Sequence, residues 1–309
     1  KNLLLRPRLE LAKLPTPLDR VENLGKSLGN LDLWIKRDDL TGFGFGGNKV
    51  RSLEYLAADA VKKNSNILIT GGSHGSNHVR TTMAVAAHLG LKGLAVLSGT
   101  RPSTKNGNLL LDQLLGAKLI FTGDENRSNI DNFIEDEVKR LQSLDERPYF
   151  IRRGGVSSLG CIGYVSAAME ICSQLQNLNL KPDILLCATG CGVTQAGLLL
   201  GFKLMGLNCQ IYGITVSRTR DECIAQIKQL IDETEETLGL NSKVPSNDIF
   251  VFDEYIGDGY TMPTSKGIEA IHLVAQTEGI FLDPIYTGKA MAGLTDLVKK
   301  GHIGLDQKV

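Results

Sequence analysis

Two periods of apolar spacing take turns along this 309-residue chain. Short β-branched or leucine-rich runs at 33–36, 67–70, 93–97, 118–121, 183–188 and 210–215 read as strands. Between them the apolar positions recur at helical spacing. Leu53, Leu56, Ala57, Ala60 and Val61 form one such stripe. Further helices are expected over 80–89, 109–115, 129–144, 160–175, 195–205, 220–238, 264–277 and 288–300. Strands alternating with helices imply an α/β protein with mostly parallel sheet covered on both faces. The length suits two domains. No linker, internal repeat or low-complexity stretch separates them, so one domain is expected to be inserted in the other: 1–51 with 156–309 as the larger, and 52–155 as the smaller.

Composition narrows the partners. Lys plus Arg equals Asp plus Glu at 34 each, a formal net charge of zero. Nucleic acid and anionic membrane, which both favour a basic excess, are not expected as partners. No apolar run approaches the roughly 20 residues of a membrane helix, and no secretory leader pattern opens the chain. Cys161, Cys172, Cys187, Cys191, Cys209 and Cys223 all lie in the second half, mostly in apolar runs. They are expected to be reduced thiols in a cytoplasmic setting. Their spacing fits neither a redox pair nor a zinc site, so no metal is expected. The chain opens on Lys1 and stops at Val309 just after a helix, so residues are expected beyond one or both ends.

Four clusters carry candidate chemistry. Lys36–Arg51, KRDDLTGFGFGGNKVR, sets Lys49 between a glycine-rich loop and an amphipathic helix. Gly42, Gly44 and Gly47 spell G-x-G-x-x-G, but the next strand ends without the carboxylate that a dinucleotide ribose requires. A phosphate-binding P-loop fails as well, because Val50 stands where Ser or Thr would bind magnesium. The remaining chemical reading is a lysine Schiff base to an aldehyde cofactor; a solvent-facing loop lysine is the plain alternative. In GGSHGSNHVR, Gly71–Arg80, free amides and the Ser76 hydroxyl could grip a substrate carboxylate, or Ser76 could simply cap a helix. His74 and His78 in that run are acid–base candidates without an adjacent carboxylate. In ATGCGVTQAGL, Ala188–Leu198, backbone amides with the Thr189 and Thr194 hydroxyls suit a phosphate, and a plain strand–helix turn is the alternative. Tyr260 and Tyr286 sit in glycine-flanked turns, as packing residues, proton donors or stacking partners for a planar ring.

Together these runs resemble the pyridoxal-phosphate enzymes that group 1-aminocyclopropane-1-carboxylate deaminase with D-cysteine desulfhydrase. That family has the tryptophan synthase β-like fold, fold type II. The likeness runs from LPTPLDRV at Leu14–Val21 to KAMAGL at Lys289–Leu294, through GNKVR, SNHVR, GNLLLDQLLGA, LGCIGYV and DPIYTGKAMAGL in order. It implies two domains, each a mostly parallel twisted sheet flanked by helices, and pyridoxal 5'-phosphate as cofactor. Lys49 matches the Schiff-base lysine and Asn48 the residue bonded to the cofactor's ring oxygen. Ser76, Asn77 and His78 fall in the substrate-carboxylate segment, with Ser76 near the reacting carbons. Thr189, Gly190, Cys191, Gly192, Val193 and Thr194 match the phosphate loop, although Cys191 and Val193 replace smaller or hydroxyl residues. Tyr260 and Tyr286 match the paired catalytic tyrosines. Thr287 stands by the pyridine nitrogen, where the deaminases carry Glu. The resemblance therefore implies a small amino-acid substrate, a homodimer, and D-cysteine β-elimination to pyruvate, sulfide and ammonia. The alternatives are 1-aminocyclopropane-1-carboxylate deaminase, L-cysteate sulfo-lyase, or a non-catalytic binding protein on the same fold.

Overall fold

A computed structural model describes residues 6–309. The chain folds as two compact units. The first holds the described residues up to Thr16 together with Asp38–Gly163, and the second holds Pro17–Arg37 and Tyr164–Val309.

The first unit is built on four parallel strands in the order β5-β4-β3-β6. These are β3 (Ile67–Gly72), β4 (Lys92–Leu97), β5 (Lys118–Phe121) and β6 (Pro148–Phe150). Its helices are α2 (Lys49–Lys62), α3 (Asn77–His88), α4 (Gly107–Leu114) and α5 (Ile130–Gln142). The two-residue period of a strand explains the layering. Leu68 packs with Leu53, Leu56, Ala57 and Ala60 of α2 and with Val85 and Ala86 of α3. Ile67 and Ile69, on the opposite face, meet Ile130 and Ile134 of α5. In β4, Leu94 and Val96 join that second cluster, while Ala95 and Leu97 meet Val79 and Met83 of α3 and Leu109 of α4. Both faces are thus dry, and each fully buried aliphatic side chain contributes roughly 1.5–3 kcal/mol.

The second unit has three parallel strands in the order β7-β8-β9: β7 (Ile184–Thr189), β8 (Gln210–Thr215) and β9 (Phe250–Phe252). A separate antiparallel pair, β1 (Leu18–Arg20) and β2 (Trp34–Lys36), brackets α1 (Glu22–Ser27). The remaining helices are α7 (Val193–Met205), α8 (Arg220–Leu238), α9 (Ser265–Glu278) and α10 (Thr287–Lys299). Ile184 and Ile214 pack with Leu24, Val274, Leu294 and Leu297. The unit boundary falls inside α6 (Ser158–Asn177).

The expected strands and helices all form, most within a residue or three of the sequence estimate. Three strands were not anticipated, β1, β6 and β9, each of three residues. The observed division also differs from the expected 1–51 with 156–309 around 52–155. Residues 38–51 belong with α2, because hydrogen bonds described below tie that loop to the helix. The first unit extends to Gly163 because the start of α6 lies on α2. Ser52 Oγ donates to the Gly160 carbonyl at 2.8 Å, and a Cβ on Gly163 would stand 2.4 Å from the Arg51 carbonyl oxygen. Among the described residues no helix is long and apolar enough to cross a membrane.

Candidate active site

In each unit the candidate residues cluster where a strand or loop hands over to a helix. In the first, residues 42–48 form a loop with positive φ at Gly42, Gly44, Phe45, Gly46 and Gly47. Gly46 is obligatory, since a Cβ there would stand 2.1 Å from the Asp39 carbonyl oxygen. Lys49 is the first residue of α2, after Asn48 in helical backbone conformation. The half-buried Lys49 side chain donates from Nζ to the Gly154 carbonyl at 3.3 Å.

Two guanidinium groups hold this loop. Arg51, 2% exposed, gives Nε and Nη2 to the Asp38 carboxylate at 2.8 and 2.7 Å and Nη2 to Thr16 Oγ1 at 3.0 Å. Arg80, also buried, donates to the carbonyls of Gly44 and Gly46. Behind it Asp112 of α4 is fully buried, with neither carboxylate oxygen hydrogen-bonded. Burial pushes Asp112 up to about 7, against the pull of Arg80.

The loop after β3 behaves partly as a plain cap. Ser76 Oγ accepts from the Val79 amide at 3.3 Å, and Asn77 opens α3. Asn108 Nδ2 donates to Asn77 Oδ1 at 2.9 Å and to the Gly75 carbonyl at 2.7 Å. That leaves the Asn77 NH2 group as a donor. His78 differs from expectation, because it lies in the interior rather than on a substrate surface. The Thr70 hydroxyl donates to the Ile151 carbonyl at 2.7 Å, so it accepts from His78 Nε2–H at 3.0 Å. His78 Nδ1 is buried without a hydrogen-bond partner. Burial, then the charge of Lys49, hold the imidazole pKa down to about 3. His78 is therefore neutral at ordinary pH, which removes it as a proton donor. Lys49 Nζ bonds the Gly154 carbonyl and a Cβ on Gly155 would lie 3.8 Å from His78 Cε1, so the lysine and His78 meet the same turn at 154–155.

In the second unit, β7 ends at Thr189 and α7 starts at Val193. Gly192, at φ 83°, occupies the N-cap position and brings no capping side chain of its own. The first amides of α7 are thus placed for an anion. Thr189 differs from the expected phosphate contact. Its hydroxyl points inward and donates to Gln195 Oε1 at 2.7 Å. Gln195 Nε2 in turn donates to the carbonyls of Ile211 at 3.3 Å and Phe250 at 2.9 Å, tying β7, β8 and β9 together. Val193 is buried, and Cys191 and Thr194 flank it on the loop and the first turn. Arg218 donates to the Gly190 carbonyl at 2.5 Å, which sets a guanidinium beside the loop.

Tyr286 joins the same cluster. A Cβ on Gly190 would lie 3.3 Å from Tyr286 Cε1, so the ring packs against the loop backbone. The Tyr260 and Tyr286 hydroxyls are 2.5 Å apart, with ring centroids 6.0 Å apart and nearly perpendicular. Asp283 fixes Tyr286 by accepting its amide at 2.9 Å and that of Thr287 at 2.9 Å. Thr287 is exposed, and its hydroxyl accepts from the Asp283 amide at 2.8 Å. That hydroxyl is a local cap, and no carboxylate stands at position 287.

A family model described as pyridoxal-phosphate dependent enzyme matches residues 9–309. The chain belongs to that family. Pyridoxal-phosphate enzymes need an amine for the cofactor aldehyde and an anion cradle for its phosphate, and the residues present fit both. The first unit has an amine in Lys49 at a loop-to-helix junction, and the second has a glycine-flanked helix start at Gly192. The chain is 40% identical over 301 residues to a D-cysteine desulfhydrase of Klebsiella pneumoniae (strain 342), covering 96% of this chain and 90% of the relative. A crystal structure of an ACC deaminase homologue superposes with a TM-score of 0.91 at 37% identity, covering 98% of this chain and 90% of that one. An L-serine ammonia-lyase from Rhizomucor miehei shares the fold, with a TM-score of 0.71 at 17% identity over 97% of this chain and 91% of that one.

The sequence reading missed Arg51, Arg80, Asp112, Asn108, Arg218, Gln195 and Lys289. A signal for two of them was present. The tetrapeptide N-x-V-R occurs at 48–51 and again at 77–80, each time at a helix start. In both, the Val is fully buried and the Arg that follows it is buried as well.

Proposed function

We propose that this pyridoxal-phosphate enzyme is a lyase that performs β-elimination on D-cysteine, consuming water and releasing pyruvate, hydrogen sulfide and ammonia. The observation that carries the reading is Thr287. The chain is 40% identical to a D-cysteine desulfhydrase, and Thr287 leaves the ring-nitrogen position without a carboxylate. When bound, the cofactor supplies an electron sink that acidifies the substrate Cα–H. Lys49 Nζ would hold the cofactor aldehyde, and its free amine would be the base that takes the substrate Cα proton. Asn48 would hold the cofactor's ring oxygen, and the loop amides at 190–194 would hold its phosphate, with Arg218 placing positive charge at Gly190. Ser76 and the Asn77 NH2 group bind the substrate carboxylate, and Asn108 fixes the orientation of Asn77.

The tyrosine pair supplies the leaving-group proton. In a bonded pair of hydroxyls one phenol donates and the other accepts, and the acceptor keeps its own proton for a third group. That proton neutralises the departing thiolate, and the partner phenol can replace it. The six cysteines form no disulfide, which supports a reducing, cytoplasmic setting. Family membership supports a homodimer, to be checked by light scattering.

A second reading, 1-aminocyclopropane-1-carboxylate deaminase, is favoured by the TM-score of 0.91 to the ACC deaminase homologue. Identifying the oxo acid separates the two. Pyruvate with sulfide from D-cysteine alone is the expected result. 2-Oxobutyrate from the cyclopropane substrate would overturn it and show that Thr287 does not decide the chemistry.

A further inference from the structure

Lys289 is a lysine with no exposed surface, three residues into the sequence from Tyr286, in the first turn of α10. A buried ammonium needs donors satisfied and charge balanced. Its Nζ donates to the carbonyls of Ile256 at 2.7 Å and Gly259 at 3.0 Å. Those two carbonyls bracket the turn that delivers Tyr260. The turn has left-handed backbone at Gly257 (φ 68°) and Thr261 (φ 70°) and a positive φ of 138° at Gly259. Besides Lys289, the backbone bond from the Met262 amide to the Gly259 carbonyl is long, at 3.4 Å. Asp258, within that turn, and Asp283, the cap of Tyr286, supply the opposing charge.

We propose that Lys289 is the positioning residue for the tyrosine pair, holding the 256–260 turn so that the Tyr260 hydroxyl meets that of Tyr286. The pairing follows from one side chain. Lys289 leaves the helix whose N-cap is Tyr286, and its ammonium ends on the turn that carries Tyr260. Asp283 accepts the Tyr286 amide at 2.9 Å at the start of the same helix, so the anchor of one phenol and the clamp of the other share the first turn of α10. A lysine whose only role was to fill α10 packing would have no reason to end on two carbonyls of one glycine turn. The inference rests on the proposed role of the tyrosines only in its effect on rate.

The test uses Lys289→Met in the cofactor-loaded enzyme, with two readouts. Amide hydrogen exchange over 256–262 is expected to quicken by about tenfold or more, with the rest of the second unit unchanged. Turnover is expected to fall by about tenfold or more while cofactor affinity stays within about threefold. In the double mutant Tyr260→Phe/Lys289→Met, turnover should be no lower than in Tyr260→Phe alone, because Lys289 acts through that hydroxyl. Unchanged exchange over 256–262, or losses that add in the double mutant, would overturn the proposal. If Lys289→Met does not fold, Lys289→Gln, a shorter neutral donor, is read by the same exchange criterion. Wild-type turnover in Tyr260→Phe would instead sink the proton-donor role of the tyrosines, and exchange alone would then decide for or against Lys289.

Discussion

The loop that carries Lys49 and the turn that carries Tyr260 solve one problem with different redundancy. Each is a glycine-rich bend that carries one candidate side chain, Lys49 or Tyr260. Both are gripped by a buried cation bonded to backbone carbonyls: Arg80 to Gly44 and Gly46, Lys289 to Ile256 and Gly259. The lysine loop has further ties. Arg51 locks Asp38 to the helix in a bidentate pair, Gly47 N–H donates to the Asp38 carbonyl at 3.0 Å, and Gly46 N–H donates to Phe43 at 2.8 Å. A planar guanidinium fork suits such multiple contacts, whereas an ammonium is a point charge. The difference teaches that Lys49 sits in a frame held by several independent ties, while the turn of Tyr260 is gripped mainly by the Lys289 ammonium.

Four substitutions sharpen or break that contrast, and the largest effect is expected at Lys49 itself. Lys49→Ala should abolish turnover and the visible absorbance of lysine-bound cofactor; a variant that keeps both would displace Lys49 from its role. Tyr286→Phe should lower elimination by roughly a hundredfold with little change in cofactor affinity. Unchanged turnover would remove this phenol from the mechanism. Asn108→Ala should raise KM for D-cysteine by about tenfold and leave kcat nearly intact, because it frees the Asn77 amide to rotate. A fall confined to kcat would contradict that. The smallest effect is expected at Asp112. Its folded pKa is raised from 3.8 to about 7, so ionising it opposes folding. That penalty grows as pH rises from about 4 to 7 and is complete above 7. Asp112→Asn should therefore raise Tm by about 3 °C or more at pH 8 and by progressively less as the pH falls towards 4. A Tm loss at pH 8 would show that the Asp112 charge supports Arg80 more than its burial costs.

Much of this was legible before any coordinates. Apolar period marked the long elements because burial on two faces of β3 or one face of α2 repeats along the chain. The glycine, Ser and Asn clusters marked strand ends, and Lys49 stood out by its place at a loop-to-helix junction. What stayed hidden was long-range or directional. Lys289 looks like an ordinary helix lysine until its reach to residues 256 and 259 is seen. Thr189 sits inside a loop pattern, yet its hydroxyl turns inward to Gln195, a choice that adjacent sequence does not encode. His78 reads as an acid–base residue in a polar run and is silenced by burial.

The glycine at the start of α7 bears on how such proteins drift. Where main-chain N–H groups face an anion, the contact does not call for particular side chains at positions 191 and 193. Gly192, at φ 83° with its hypothetical Cβ 3.0 Å from Ile227, has no such latitude. Over long descent this loop should keep its shape while its letters change, so its ancestry is better traced by backbone angles than by motif spelling.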